Sequence, residues 1–127
     1  EEGDYHVEFY KVGEKKLGIG RDAQANDYIR KTWGKKHDIW LHIEGVRSCH
    51  GILKTEGLLS LPPEEIDAIA SLLADKSSFR GSEIPLVYSE LRHVKGSKGV
   101  AGKVVLKKPK YITRQYDDKW PEILARL

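Results

Sequence analysis

Two histidines, His42 and His50, are the side chains best suited to ligand chemistry, because an imidazole can donate or accept a hydrogen bond and titrates near neutral pH. His42 lies in the stretch 38–43, which reads Asp-Ile-Trp-Leu-His-Ile. This period-2 pattern predicts a half-buried strand that has Trp40 and His42 on the face opposite its aliphatic residues. Two interpretations remain open: Trp40 packs under a helix while His42 is hydrogen-bonded within the fold, or both line a surface that contacts a ligand.

Other residues that could support catalysis or bind a metal have unsuitable spacing. His37 and His42 are separated by an odd offset, which places them on opposite faces of a strand. Cys49 and His50 are adjacent and diverge for the same reason, which argues against a zinc cluster and against a cysteine–histidine nucleophilic pair. The sequence therefore predicts that the chain is not an enzyme and that it has no metal or cofactor.

Basic residues are concentrated in one segment, although the net charge is only +3. From Leu91 to Tyr116 there is no acidic residue. The same segment contains Arg92, Lys95, Lys98, Lys103, Lys107, Lys108, Lys110 and Arg114. Such clustering predicts a local positive field that attracts phosphate. The alternative is a lysine-rich edge strand that guards the sheet against aggregation.

Length and composition predict one soluble, globular domain, because the chain has 127 residues and 32% of them are charged. No run approaches the roughly 20 apolar residues that a membrane-spanning helix needs, and no signal-peptide layout is present. The single cysteine, Cys49, favours a reducing, cytoplasmic setting. The absence of methionine and the start at Glu1 predict a fragment of a longer chain.

The N-terminal half predicts two hairpins joined by a helix. Residues 5–12 and 16–20 alternate as two paired strands. Gly18 and Gly20 weaken the second strand and predict a bend or a close approach of another part of the chain. Asp22 is a suitable N-cap for a helix over 23–33, which Gly34 would end. The stretch 49–54 predicts a strand antiparallel to 38–43, and this pairing would bring His50 close to His42.

The C-terminal half predicts one confident helix and a series of strands. Pro62 and Pro63 begin a helix that ends near Ser77, with acidic residues in its first turn. The predicted strands are 84–94, 103–107 and 111–115, and a short helix over 120–127 closes the chain. The predicted fold class is α+β: a single domain over 1–127, with a mostly antiparallel sheet, two main helices and a short C-terminal helix.

Several motifs occur together in a recognisable order. They are Gly18-Ile19-Gly20-Arg21, Asn26-Asp27, Asp38-Ile39-Trp40-Leu41-His42, His50, a proline-started helix and Gly99-Val100-Ala101-Gly102-Lys103-Val104. In this order, from about Phe9 to Val105, the chain resembles the NFACT-R domain, the RNA-binding-type module of the NFACT proteins. That family includes bacterial and eukaryotic ribosome quality-control factors and fibronectin-binding-protein-like proteins. Its usual Pro-Gly-Ser-His is replaced by Arg47-Ser48-Cys49-His50, so Arg47 is expected to supply a compensating phosphate contact.

The resemblance implies binding of tRNA or ribosomal RNA, in translation or in ribosome-associated quality control, with the large ribosomal subunit as a candidate partner. The residues expected at the interface are Arg21, Asn26, Asp27, Trp40, His42, Arg47, His50, Lys95, Lys98, Lys103, Lys107 and Lys108. The lysines would contact phosphate, the histidines would contact backbone or a base edge, and Trp40 would stack on a base. The alternative is a non-catalytic module that docks on ribosomal or other proteins, and a small hydrolase acting on nucleic acid is a third candidate.

Overall fold

A seven-stranded antiparallel sheet forms the centre of the computed structural model, which describes residues 4–127. Its strands in chain order are β1 (Val7–Val12), β2 (Lys15–Gly20), β3 (Ile39–Ile43), β4 (His50–Leu53), β5 (Glu83–Glu90), β8 (Lys110–Gln115) and β9 (Leu124–Arg126). Across the sheet they lie in the order β8-β5-β3-β4-β2-β1-β9. A separate hairpin is formed by β6 (Val94–Gly96) and β7 (Val104–Leu106).

Helical segments lie between the strands. The helices are α1 (Ala23–Tyr28), α2 (Pro63–Asp75) and α3 (Trp120–Ile123). A π-helical turn, Ile29–Trp33, extends α1, and single 3-10 turns occupy Leu58–Ser60 and Leu91–His93. The α+β class, with its mostly antiparallel sheet, is thus confirmed. None of the helices in residues 4–127 is long and apolar enough to cross a membrane.

Each face of the sheet buries its own apolar cluster. One cluster packs α2, through residues such as Ile69 and Leu73, against Leu41 of β3 and its neighbours. The other contains Trp40 and Ile29 and includes Val94 of the small hairpin. The alternation predicted for 38–43 is therefore confirmed, because Leu41 and Trp40 belong to opposite clusters.

The two glycines of β2 permit α1 and its π-helical turn to approach the sheet closely. A Cβ atom at Gly18 would lie 2.8 Å from the Trp33 ring, and one at Gly20 would lie 2.7 Å from the backbone nitrogen of Asn26. Real Cβ contacts essentially never fall that short. The predicted close approach is confirmed, and it brings Asn26 to the start of β4.

Two predicted elements are wrong in part. The strand predicted over 84–94 breaks at Leu91, whose side chain is buried in the second cluster and whose N–H donates to the carbonyl of Asp38. The helix predicted over 120–127 stops at Ile123, and the chain then pairs with β1 as β9. In both places the chain satisfies its backbone groups through a distant segment, which local pattern does not encode.

Candidate nucleic-acid interface

A cavity of about 830 Å³ opens where β4 begins. Its wall combines the start of α1, the connection before β4, the residues after α2 and the loop 100–103. Six residues expected at the interface line it together: Arg21, Asn26, His42, Arg47, His50 and Lys103. The tertiary structure thus brings half of the expected set to one hollow of the size that small-ligand sites have.

The cavity floor is a hydrogen-bonded cluster of buried side chains. His50 is 7% exposed and Asn26 is 9% exposed. The backbone N–H of His50 donates to Oδ1 of Asn26 at 3.3 Å, and Nε1 of Trp40 donates to Nδ1 of His50 at 3.3 Å. These two bonds fix the orientation of both the amide and the imidazole, because each has a committed acceptor atom.

Trp40 supports the histidines from below. Its ring stacks on His42, with centroids 5.7 Å apart, and meets the edge of His50 at 5.2 Å. The rings of His42 and His50 lie 5.1 Å apart, so their predicted proximity is confirmed. Trp40 is only 2% exposed. The indole is covered and its N–H is used by His50, which favours the packing interpretation of Trp40 over stacking on a base.

Both histidines are neutral at physiological pH. Burial, together with the neighbouring His42 and Arg30, lowers the pKa of His50 to about 3, although Asp27 opposes the shift. Burial also lowers the pKa of His42, although backbone groups of Ile43 and Ser48 oppose the shift. The two rings therefore act as neutral hydrogen-bonding groups rather than as cations.

Two cations on the rim are held by one carboxylate. Glu8 accepts from Nη1 of Arg21 at 2.7 Å and lies 3.3 Å from Nζ of Lys76. Burial would raise the pKa of Glu8, but hydrogen bonds from Arg21, Tyr10 and Lys76 outweigh burial and lower it. Glu8 stays ionised and positions both cations. Sequence reasoning missed Lys76 because it lies in an acid-rich stretch and reaches the cavity only through the docking of α2.

Two further cations on the rim are exposed and unpaired. Arg47 and Lys103 line the cavity, and neither forms an ion pair with any residue in the range 4–127. Asp22 is the acidic residue in the cavity wall. Its Oδ1 accepts the N–H of Ala25 as the N-cap of α1 and its Oδ2 lies 3.3 Å from Nδ1 of His6, but it is one acidic residue against four basic residues in the lining. The rim is therefore electropositive.

Asp27 positions the loop that carries Lys103. Its Oδ1 accepts the backbone N–H of Gly102 at 3.1 Å and Nη2 of Arg30 at 3.1 Å. Gly102 has φ of +79°, and a Cβ there would lie 2.9 Å from Ala23. The loop thus folds tightly over α1. Asp27 was expected at the interface, and the structure places its carboxylate between the loop and the helix.

The remaining expected lysines lie on or beside the small hairpin. Lys98 lines a shallower hollow of about 590 Å³ together with Asp27 and Arg30. Lys95, Lys107 and Lys108 are exposed. Together with Lys98 they form an open basic surface beside the cavity loop, called here the hairpin surface. None of these four lysines makes an ion pair within the part of the chain that the structure describes.

Metal-binding and thiol chemistry have no support in the geometry. Among residues 4–127 no group of three or more histidine, cysteine, aspartate and glutamate side chains is placed to hold a metal ion. Cys49 is buried in the cavity wall, and burial raises the pKa of its thiol although the cation of Arg21 opposes the shift. A thiol with a raised pKa is a poor nucleophile at neutral pH.

Comparison with known proteins identifies the family. The model of the NFACT protein RNA binding domain matches residues 6–108. The chain belongs to this family. The Rqc2 homolog RqcH of Bacillus subtilis (strain 168) is 28% identical over 103 residues, which are 80% of this chain and 16% of that protein. This NFACT RNA-binding domain therefore corresponds to a small part of that relative.

A solved structure shows the same fold. The C-terminal part of the fibronectin/fibrinogen-binding protein from Streptococcus suis (FBPS) superposes with a TM-score of 0.78. The match covers 94% of this chain and 49% of that chain, at 19% sequence identity. At this identity the likeness shows the architecture alone.

Proposed function

We propose that this domain is a non-catalytic RNA-binding module that engages tRNA or ribosomal RNA during translation or ribosome-associated quality control. The observation that carries the proposal is the convergence of Arg21, Arg47, Lys76 and Lys103 around one cavity whose floor is formed by His50 and Asn26. Cations positioned around neutral hydrogen-bonding groups suit a ligand that offers both phosphates and polar edges.

The contacts divide into two kinds. Lysines of the hairpin surface would neutralise backbone phosphates, which adds affinity that depends on salt and carries no sequence information. The cavity would receive one unit of the RNA, where His42 and His50 can form directional hydrogen bonds. Membership of the NFACT RNA-binding family and similarity to RqcH support the ribosomal setting in the cytoplasm.

The test is fluorescence anisotropy of labelled tRNA, single-stranded RNA and a DNA of matched sequence, each titrated at several salt concentrations. We expect RNA to bind more tightly than DNA, and log K to fall with log salt by about 0.7 for each phosphate neutralised. The double variant Arg47→Ala with Lys103→Ala should weaken RNA binding about tenfold. The matched control is Lys15→Ala, an exposed lysine at the opposite end of β2 from Arg21.

Protein docking is the second candidate, because large apolar side chains are exposed on the edge strand of the sheet and on the small hairpin. Tyr111 on β8 is 60% exposed and Val105 on β7 is 55% exposed. Binding of RNA that is absent, or indifferent to salt and to the cavity cations, would favour docking. Loss of ribosome co-sedimentation in Tyr111→Ser with Val105→Ser, but not in Arg47→Ala with Lys103→Ala, would point the same way.

A further inference from the structure

The polar atoms that the cavity floor presents to a ligand are donors. Nδ1 of His50 accepts from the Trp40 indole, so the neutral imidazole carries its proton on Nε2. Oδ1 of Asn26 accepts from the His50 backbone, so the amide nitrogen of Asn26 is the atom left to bind. Neither Nε2 of His50 nor Nδ2 of Asn26 has a hydrogen-bond partner among residues 4–127.

Both donors are open to solvent. Within the described part of the chain, Nε of Arg30 is the one side-chain nitrogen or oxygen that is sealed from solvent and lacks a partner. The free nitrogens of His50 and Asn26 therefore retain accessible surface, and both residues line the cavity. Because the two side chains are 7% and 9% exposed, a ligand must enter the cavity to reach them.

Four basic residues surround these recessed donors: Arg21, Arg47, Lys76 and Lys103. The acidic residue in the lining, Asp22, is the N-cap of α1. A floor that presents two donors, inside a rim with four basic residues and one carboxylate, matches a ligand group that only accepts and is negatively charged. Phosphate is such a group. A phosphomonoester offers three strong acceptor oxygens and a charge of about −1.5 to −2, whereas a phosphate within a strand has a single charge and is flanked by two sugars.

We propose that the cavity is a phosphomonoester pocket, which takes a terminal phosphate of RNA in preference to a phosphate within the strand. This inference rests on the proposed function for the source of the phosphate. A terminal phosphate needs one entrance and can project inward to His50 and Asn26. An internal phosphate is followed by more of the strand, which would need a second exit from the cavity. Such a phosphate therefore contacts the rim cations better than it contacts the floor.

The first experiment uses small probes. AMP, adenosine and phosphoserine are titrated into the ¹⁵N-labelled protein, and the amide shifts of Cys49, His50, Gly102 and Lys103 are followed. We expect AMP to shift these amides and adenosine to leave them unchanged. Equal responses to AMP and adenosine would overturn the phosphate assignment. Equal responses to AMP and phosphoserine would support a pocket that recognises the phosphomonoester itself, and the second experiment then tests RNA as its source.

The second experiment separates the ends of RNA from its interior. Short single-stranded RNAs of one sequence carry a 5′-phosphate, a 3′-phosphate or hydroxyl groups at both ends. We expect at least one phosphorylated end to bind about five to tenfold more tightly than the hydroxyl form. Equal affinity of all three RNAs would overturn the terminal-phosphate reading while leaving the proposed function standing. Absence of RNA binding with retained AMP shifts would overturn the proposed function instead.

Two variants connect the preference to the cavity. His50→Phe keeps an aromatic ring but removes the Nε2 donor, and with it the Nδ1 acceptor of the Trp40 N–H. Lys103→Ala removes an exposed rim cation and leaves the core intact. Each should reduce the preference for the phosphorylated end to less than twofold, while Lys15→Ala retains the full preference. A preference that survives in a folded Lys103→Ala and in a folded His50→Phe would place the phosphate elsewhere and overturn the proposal.

Discussion

The neutral cavity floor and the basic hairpin surface are two regions of the proposed interface, and they are built in opposite ways. The floor consists of buried, uncharged groups, Trp40, His50 and Asn26, each fixed by a hydrogen bond. The hairpin surface presents exposed cations such as Lys95, Lys107 and Lys108. The first region can discriminate between ligand groups because its donors are oriented before binding, and the second adds attraction without geometric selection.

The two regions are also expected to differ in how much they contribute to folding stability and to RNA affinity. Trp40 belongs to the second apolar cluster, and His50 and Asn26 are buried, so changing these residues disturbs the fold and the site together. Surface lysines have little effect on folding, because exposed charges outside strong pairs contribute within about 0.5 kcal/mol. Substitutions in the two regions should therefore produce distinct signatures in unfolding and in binding experiments.

The largest expected effect is that of Trp40→Ala. Truncating this buried indole should lower the free energy of unfolding by about 3–5 kcal/mol, because it leaves a cavity and an unsupported His50. Urea denaturation measures the change. Trp40→Phe is the matched control: it keeps a smaller aromatic ring but removes the N–H, and should cost about 1–3 kcal/mol. A loss below 1 kcal/mol for Trp40→Ala would contradict the central role of this ring.

An intermediate effect is expected from pH. His50 in the unfolded chain binds a proton below its ordinary pKa near 6.5, whereas the folded side chain stays neutral down to about 3. The unfolded state therefore binds more protons in this window, and stability falls as the pH drops, by up to about 1.4 kcal/mol for each pH unit. Between pH 6.5 and pH 5 the loss from His50 should be about 1.6 kcal/mol in thermal or urea unfolding.

The control for this pH dependence is His50→Gln, which cannot titrate. Its stability should change less between pH 6.5 and pH 5 than that of the unmodified protein, with His42 responsible for the remaining slope because burial lowers its pKa too. Identical pH slopes in the two proteins would show that His50 is not held neutral by the fold.

The smallest effect on stability is expected from the hairpin lysines. Lys95→Ala with Lys98→Ala should leave the free energy of unfolding within about 0.5 kcal/mol of the unmodified value. The same pair should reduce the salt slope of RNA binding by about 1.4, that is, about 0.7 for each lost phosphate contact with a single strand. An unchanged salt slope would show that these lysines do not contact RNA phosphates and would confine the proposed interface to the cavity.

Local sequence patterns determined much of this protein. The alternation in 38–43 set the two faces of β3, Asp22 capped α1 as expected through its bond to Ala25, and the proline-started α2 formed as predicted. The hairpin of β3 and β4 brought His42 to His50, since the two residues are close in sequence and their strands pair directly. These features depend on period, capping and short connections, all of which can be read along a single chain.

Only the tertiary structure decided which side chains of β3 and β4 would be covered and which would line the cavity. It buried Trp40 beneath the π-helical turn and the small hairpin. The ring that was expected to stack on a base supports His50 instead, through a hydrogen bond from its N–H. It also joined Lys76 to Arg21 through Glu8, and Asp27 to the loop at Gly102. These contacts connect segments far apart in the chain, and their partners are selected by the packing of both faces of the sheet rather than by any local preference.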